Sequence, residues 1–378
     1  MARHYLDHAS TSPLRPEARA ALIEALDVVE GDPGRIHHEG LTTRALLEDA
    51  RDRVAGAFGA RSREVVFTSG GTESLVTAIA GSAAASPGLP LVCSAVEHSA
   101  VRLAAERAGP VVGMPVDRTG RLDADEVAAI IDGLVAAETP PAVVCCQWAN
   151  HEVGTIQPVA EVVAACRERG VPVLVDAAQA AGREPIAFGA LGADLLAVSG
   201  HKLGAPPGTG ALLIRRGVRI PPLLLGGDQE RARRAGLENT AGAVALAAAV
   251  GTATAELDER RAEDARRTAV LRTALGAIEG VALFGHPVHR LASLVCAGID
   301  GVEPQAVLLE LDRAGIAAHS GSACASEGLE PSPVLEAMGV DSSRSLRLSV
   351  GWSTTDDDVE AAARALPSIV GGLRALGA

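Results

Sequence analysis

Aromatic side chains are scarce in this chain of 378 residues, which has one Tyr, two Trp and four Phe. Its core must therefore be built from Ala, Val and Leu, small side chains that let helices pack closely. Positive charge is also in deficit. A formal net charge of −13 argues against nonspecific binding to nucleic acid or to an anionic membrane. Long apolar runs are missing: the most apolar stretch, residues 241–250, falls well short of the roughly 20 residues that span a bilayer. No basic-then-apolar segment opens the chain, so the expected compartment is the cytoplasm. The six cysteines show neither zinc-ligand spacing nor a disulfide framework. Cys93, Cys145, Cys146, Cys166 and Cys296 sit in apolar stretches and read as core thiols kept reduced. There is no internal repeat and no low-complexity linker.

What is present is a 48% hydrophobic chain long enough for a large core and two domains. Strand and helix patterns alternate from Glu64 to Ile214, which predicts an α/β fold with a mainly parallel sheet and crossover helices. A helix-like segment then runs over residues 241–278, with Glu259, Arg260, Arg261, Glu263, Asp264, Arg266 and Arg267 on a solvated stretch where the chain leaves the large domain. The expected division is a large domain of residues 15–255 and a smaller α+β domain from 256–378.

Chemistry concentrates at the ends of the predicted strands. Asp194-Leu195-Leu196-Ala197-Val198 breaks into Ser199-Gly200-His201-Lys202 and a glycine-rich loop, leaving a lysine where backbone comes close to a ligand. A desolvated lysine loses its proton readily and becomes a nucleophile toward carbonyls, the requirement for a Schiff base with pyridoxal phosphate. Val173-Leu174-Val175 ends at Asp176, a carboxylate able to pair with a protonated pyridine nitrogen, and Gln179 follows within reach of a phenolic oxygen. The strand Glu64-Val65-Val66-Phe67 runs into Thr68-Ser69-Gly70-Gly71-Thr72-Glu73-Ser74 and a helix, so Gly71 and Thr72 lie in a phosphate cradle. His98 offers an imidazole to stack on a flat ring. Taken singly, each has a plainer use: Lys202 an exposed loop lysine, Asp176 a helix cap, residues 69–73 a capping box, His98 a polar surface residue.

In that order the four sites resemble the fold-type I pyridoxal-phosphate enzymes. Residues Ala318-His319-Ser320-Gly321-Ser322-Ala323-Cys324-Ala325-Ser326, then Glu330-Pro331-Ser332-Pro333, are similar to the active-site loop of cysteine desulfurases of the bacterial housekeeping and nitrogen-fixation type. The same family is echoed at Tyr5-Leu6-Asp7-His8, at Gly31-Asp32-Pro33 with His37 and Gly40, at Arg234-Ala235-Gly236-Leu237-Glu238-Asn239 and at Leu346-Arg347-Leu348-Ser349. The resemblance spans nearly the whole length. It implies a large domain with a seven-stranded, mainly parallel sheet and a smaller domain that residues 1–14 join. It further implies pyridoxal 5'-phosphate held by Gly71, Thr72, His98, His151, Asp176, Gln179, Ser199, His201 and Lys202, with Asn150 and Arg347 at the substrate. L-cysteine, a sulfur-acceptor protein and a homodimer are the implied partners. Catalysis would rest on Lys202, His98 and Cys324. The thiolate of Cys324 would take the substrate's sulfur, leaving alanine and a persulfide, with His98 or His319 as aids to its ionisation. Cys324 has a plainer use as a small buried thiol, and Arg347 as a surface ion pair.

Three positions depart from the family pattern. Its second asparagine before Glu is His151 here, a bulkier group that titrates. Leu237 stands where the family has a threonine that reaches across a dimer to the phosphate, and Asp32-Pro33-Gly34-Arg35 replaces Asn-Pro-Ser-Ser. His151 and Leu237 motivate a second reading, a related C–S lyase, selenocysteine lyase or aminotransferase. A scaffold without its cofactor is a third.

Overall fold

In this computed structural model, which describes residues 3–320, 332–341 and 344–377, the short apolar runs become strands because they are rich in Val and Leu, and all but the edge strands Val111–Met114 and Val281–Phe284 are buried on both faces. Seven strands form one sheet: β1 (Val65–Thr68), β2 (Leu91–Ser94), β3 (Val111–Met114), β4 (Val143–Gln147), β5 (Val173–Asp176), β6 (Leu195–Ser199) and β7 (Gly210–Ile214). Their order is β1-β7-β6-β5-β4-β2-β3. Only β7 runs antiparallel to its neighbours, pairing Val65 with Leu213 on one side and Leu195 with Ile214 on the other. Two apolar clusters cover the sheet's faces, one holding Val144, Val175 and Leu196, the other Cys145, Leu174 and Leu195. Adjacent residues of one strand thus face opposite cores, as the pleat requires.

The scarcity of aromatics shows in the helices. Helix α1 (Gly71–Ala85) and helix α2 (Ser99–Ala108) follow β1 and β2. Helix α3 (Thr240–Ala255) is almost all small residues, is buried over most of its length, and packs on the helices Pro16–Leu26 and His38–Ala57. The single long helix expected over residues 241–278 is two. Helix α4 (Leu257–Gly276) leaves α3 at a 71° bend, with Glu256 ending one and starting the other. The reason lies in the faces: α3 is apolar all round and sits in the large core, whereas α4 carries the charge run and buries only Leu271, Leu275 and a few polar neighbours. One straight cylinder cannot serve both environments.

Beyond the bend a second core forms. Strands β8 (Val281–Phe284), β9 (Leu294–Ile299) and β10 (Ser345–Ser349) make an antiparallel sheet in the order β10-β9-β8. A one-turn helix, α5 (Pro333–Ala337), and the long α6 (Asp356–Gly377) complete the labelled elements. Leu6 packs in this second core with Leu271, Val295, Leu346 and Val370, and the short strand His4–Tyr5 pairs with Ile316–Ala317. The five described cysteines, Cys93, Cys145, Cys146, Cys166 and Cys296, are free and buried. No single helix among the described residues is long and apolar enough to cross a membrane.

One buried ion pair ties loop to sheet. Arg51 grips Glu230 two-pronged, at 2.6 and 2.8 Å, and Glu230 also accepts the Phe67 N–H at 3.0 Å. Glu230, Arg231 and Ala232 all have left-handed backbone, with φ of 49°, 59° and 60°, an arrangement that persists only where neighbours hold it. Replacing Glu230 by Ala leaves the buried Arg51 cation only the half-exposed Glu48 at 3.1 Å and the Val65 carbonyl as partners. The expected loss is about 3–5 kcal/mol of stability, read from denaturant unfolding at constant m-value.

Candidate active site

The residues that follow the carboxyl ends of β1, β4, β5 and β6 converge on a cleft of about 380 Å³, the position where open α/β sheets bind ligands. Ser69, Gly70 and Gly71 come from β1, Gln147 ends β4, Asp176 ends β5, and Ser199 ends β6 just before Lys202. His319 and, from β10 of the second core, Arg347 complete the lining. Gly71, Thr72, His98, His151, Asp176, Gln179, Ser199, His201, Lys202 and Arg347, read separately along the sequence, therefore line one space. Cys324 lies outside the described residues.

At the mouth of β1 the backbone prepares an anion site. Gly70 has φ 153° and precedes α1 without any side chain capping its first N–H groups. Glu73 accepts the Ser69 N–H at 2.8 Å, half of the capping box, and is held by Arg234 at 2.9 Å. The helix N–H groups, their dipole and the Thr72 hydroxyl remain for a ligand. Ser199 and His201 line the same region, and the His201 ring is braced by Thr11 at 3.1 Å.

Burial pushes the Lys202 amine down to about 8, with Arg183 and Arg347 lowering it further and Asp176 opposing. Gly204, two residues on at φ +84°, closes the turn where a Cβ would strike Arg15 and the Pro13 carbonyl. Burial pushes the Asp176 carboxyl up, against the Ala178 N–H bond and the charge of Lys202. A cation seated beside Asp176 would relieve that cost. His98 caps α2, its Nδ1 accepting the Ala100 N–H at 3.1 Å, and burial pushes it down to about 3, so the ring is neutral. Arg347 donates to the His151 carbonyl at 2.7 Å, to Asp7 at 2.9 Å and to Ser10 at 2.6 Å. Its Nε is buried with no hydrogen-bond partner among the described residues.

Two sequence readings change. Asn150, expected at the substrate, does not line the cleft. Its amide donates to the Val96 carbonyl at 3.1 Å and its oxygen accepts the N–H groups of Glu152 and Val153, both at 2.8 Å, so the side chain is spent on shaping the turn. Gln179 does line the cleft, yet its amide is bonded to the Ala9 carbonyl at 2.8 Å and to Arg183 at 3.0 Å. One N–H of that amide remains for a ligand. Arg183 itself went unnoticed in the sequence. It supports the cleft floor by donating to the His8 and Lys202 carbonyls, and its i,i+4 spacing from Gln179 was the available signal. A stronger signal was also passed over: of 34 basic residues 33 are arginine, and Lys202 is the only lysine.

The geometry defines an α/β protein with two cores, in which a lysine just past a central strand end faces an acid and a helix start with free N–H groups. A family model described as aminotransferase class-V matches residues 4–362, and the chain belongs to that family. It is 40% identical over 380 residues to a protein of Methanosarcina thermophila named cysteine desulfurase IscS, covering 98% of this chain and 92% of the relative. It is 39% identical to an IscS-like cysteine desulfurase of Mycobacterium tuberculosis, covering 98% and 97% of the two chains. Among solved structures, a NifS-like protein superposes with a TM-score of 0.90 at 27% identity, covering 98% of this chain and all of the other. The apo structure of a cysteine desulfurase from Thermococcus onnurineus gives 0.87 at 26%, covering 98% and 95%.

The lone lysine permits a direct titration. Amine acylation followed by mass spectrometry should label Lys202 in cofactor-free protein with a midpoint near 8 rather than its ordinary 10.5. A midpoint above 10 would show that burial does not control this amine.

Proposed function

We propose that the chain is a pyridoxal-phosphate-dependent cysteine desulfurase, which takes sulfur from L-cysteine and leaves L-alanine. The observation that carries this reading is the sole lysine at the end of β6, facing Asp176 and the uncapped start of α1. The residues suit the cofactor in three separate ways. The helix N–H groups with Thr72, Ser199 and His201 would hold its phosphate, Asp176 its ring nitrogen and Lys202 its aldehyde carbon, while the neutral His98 ring would lie against its face. When bound, pyridoxal phosphate supplies an electron sink for bonds made and broken at the substrate's carbons.

The chain's own groups then divide the work. Lys202, with its proton affinity lowered by burial, is poised near neutral pH both to hold a carbonyl and to carry protons once displaced. Arg347 brings its unspent Nε, and an Nη2 shared with Asp7 and Ser10, to the substrate carboxylate. Its hold is thus less open than a free guanidinium fork would be. Asp7 keeps Arg347 in place and offsets its charge before substrate arrives. Cys324 as thiolate forms a bond to the substrate's sulfur while the carbon–sulfur bond breaks toward carbon. That carbon then takes a proton, giving alanine and a persulfide.

An acceptor protein would receive the persulfide sulfur. A homodimer is part of the same reading, supported by large apolar side chains left in solvent, Ile36 at 90%, Leu225 at 82% and Leu237 at 65% exposure. Leu237 offers no donor, so the phosphate would rest on groups of its own chain. The buried free thiols suit a reducing cytoplasm.

Purified protein given pyridoxal phosphate should show a visible-edge absorbance band that is lost in Lys202→Ala. Addition of L-cysteine should release alanine and add one sulfur to Cys324, read by mass spectrometry. Cys324→Ala should abolish turnover. Full activity in that variant would replace the desulfurase by a C–S lyase.

A further inference from the structure

The cleft holds two imidazoles in contact, and the fold treats them differently. His98 and His151 meet edge to face, with centroids 5.0 Å apart at 73°. The Nδ1 of His98 accepts the Ala100 N–H that caps α2, which assigns its proton to Nε2. Protonating His98 would break that cap and bury a cation near Lys202. His151 is held differently. Its Nε2 lies 3.5 Å from a carboxylate oxygen of Glu152, and the other oxygen of Glu152 accepts the Ser332 hydroxyl at the start of α5. The ring is 6% exposed and lines the cleft, and its own carbonyl holds Arg347. A carboxylate beside one imidazole nitrogen favours a proton on that Nε2, leaving Nδ1 as the nitrogen able to accept one.

We propose that His151, oriented by Glu152, is the base that takes the ammonium proton of the incoming amino acid, a task for which His98 is unsuited. The inference rests on the function proposed above. An amino acid enters as an ammonium, and only its free amine can displace Lys202 from a carbonyl. The proton passes from the substrate nitrogen to Nδ1 of His151, Nε2–H stays turned to Glu152, and the imidazolium returns the proton to water. No electrons change hands. The charged and titratable groups around His151 are Glu152 beside it, Asp176 from β5, His98 at α2, Lys202 after β6, and His319 and Arg347 from the small-domain side. The low proton affinity of His98, to which burial contributes first and His151 second, agrees with this division.

The test uses holoenzyme and L-alanine, whose binding changes the absorbance of the bound cofactor without any sulfur chemistry. The rate of that change is followed against pH for the parent, His151→Asn, His151→Gln and Glu152→Gln, beside ¹⁵N NMR titration of the imidazoles. The parent should slow on the acid side with the midpoint that His151 shows by NMR. Both His151 variants should lose that limb and fall at least about tenfold at neutral pH, at or below the low end of what a positioned base contributes. Glu152→Gln should move the limb to lower pH, because removing the carboxylate weakens the imidazolium. A limb that stays in place in both His151 variants overturns the inference, as does a His151 signal that does not titrate across it; these readings stand even if Glu152→Gln fails to fold. If the limb behaves as expected but L-cysteine yields no alanine, the inference on amino-acid amines holds and the desulfurase reading fails.

Discussion

A primary amine buried at the end of β6 is the constraint around which the rest of the site is arranged. Water would hold the Lys202 charge at no cost, but a cleft does not, and burial brings its proton affinity down toward neutrality. The neighbours decide how far that goes. Asp176 at the end of β5 pulls upward, while Arg183 beneath and Arg347 opposite push downward. Their balance leaves an amine that is neither a permanent cation nor a free base at physiological pH, the condition for one group to serve as both nucleophile and proton carrier. The placement depends on strand registry, since Asp176 lies opposite Ala197, two residues before the end of β6. A slip of one residue would turn the acid to the other face of the sheet.

Charge around the cleft follows the same logic. The imidazoles of His8, His98 and His201 are all held below their ordinary range, chiefly by burial, and so add hydrogen-bond capacity without adding charge. Beneath them Glu97 is pushed well above the carboxylate range by burial and by Asp176, with one oxygen accepting the Gln147 N–H at 2.7 Å. The shift of Glu97 runs toward its uncharged form, which opposes two anions gathering on the floor. Besides the Glu73–Arg234 pair, the charges at the cleft are Lys202 and Arg347, with Arg183 beneath, against Asp176, Asp7 and Glu152, beside a helix start with uncapped N–H groups. That set suits a ligand with a phosphate, a cationic ring nitrogen and a carboxylate.

Much of this was legible in the sequence because it is local. Strand runs, their terminal residues and the glycine turn after β1 are short-range patterns, and the residues they name meet in one cleft. The misreadings are of groups whose role depends on distant partners. Asn150 looks like a ligand in its tripeptide, but the Val96 carbonyl, 54 positions away, takes its donor. The bend at Glu256 follows from which core each helix face must join, and helical periodicity alone does not carry that. Cys324, whose assignment rests on the family resemblance, lies outside the described residues.

The passed-over lysine count has a chemical consequence of its own. A carbonyl ligand condenses with any unprotonated primary amine it meets, and surface lysines compete for it as a matter of mass action. Guanidinium groups do not compete, because they stay protonated throughout the accessible pH range and cannot form such an adduct under these conditions. With 33 of 34 basic side chains being arginine, Lys202 is the only side-chain amine on offer. Selectivity for the site thus has two independent sources. Burial lowers the proton affinity of Lys202, and composition removes side-chain rivals, so an aldehyde cofactor bound as proposed would meet no competing side-chain amine.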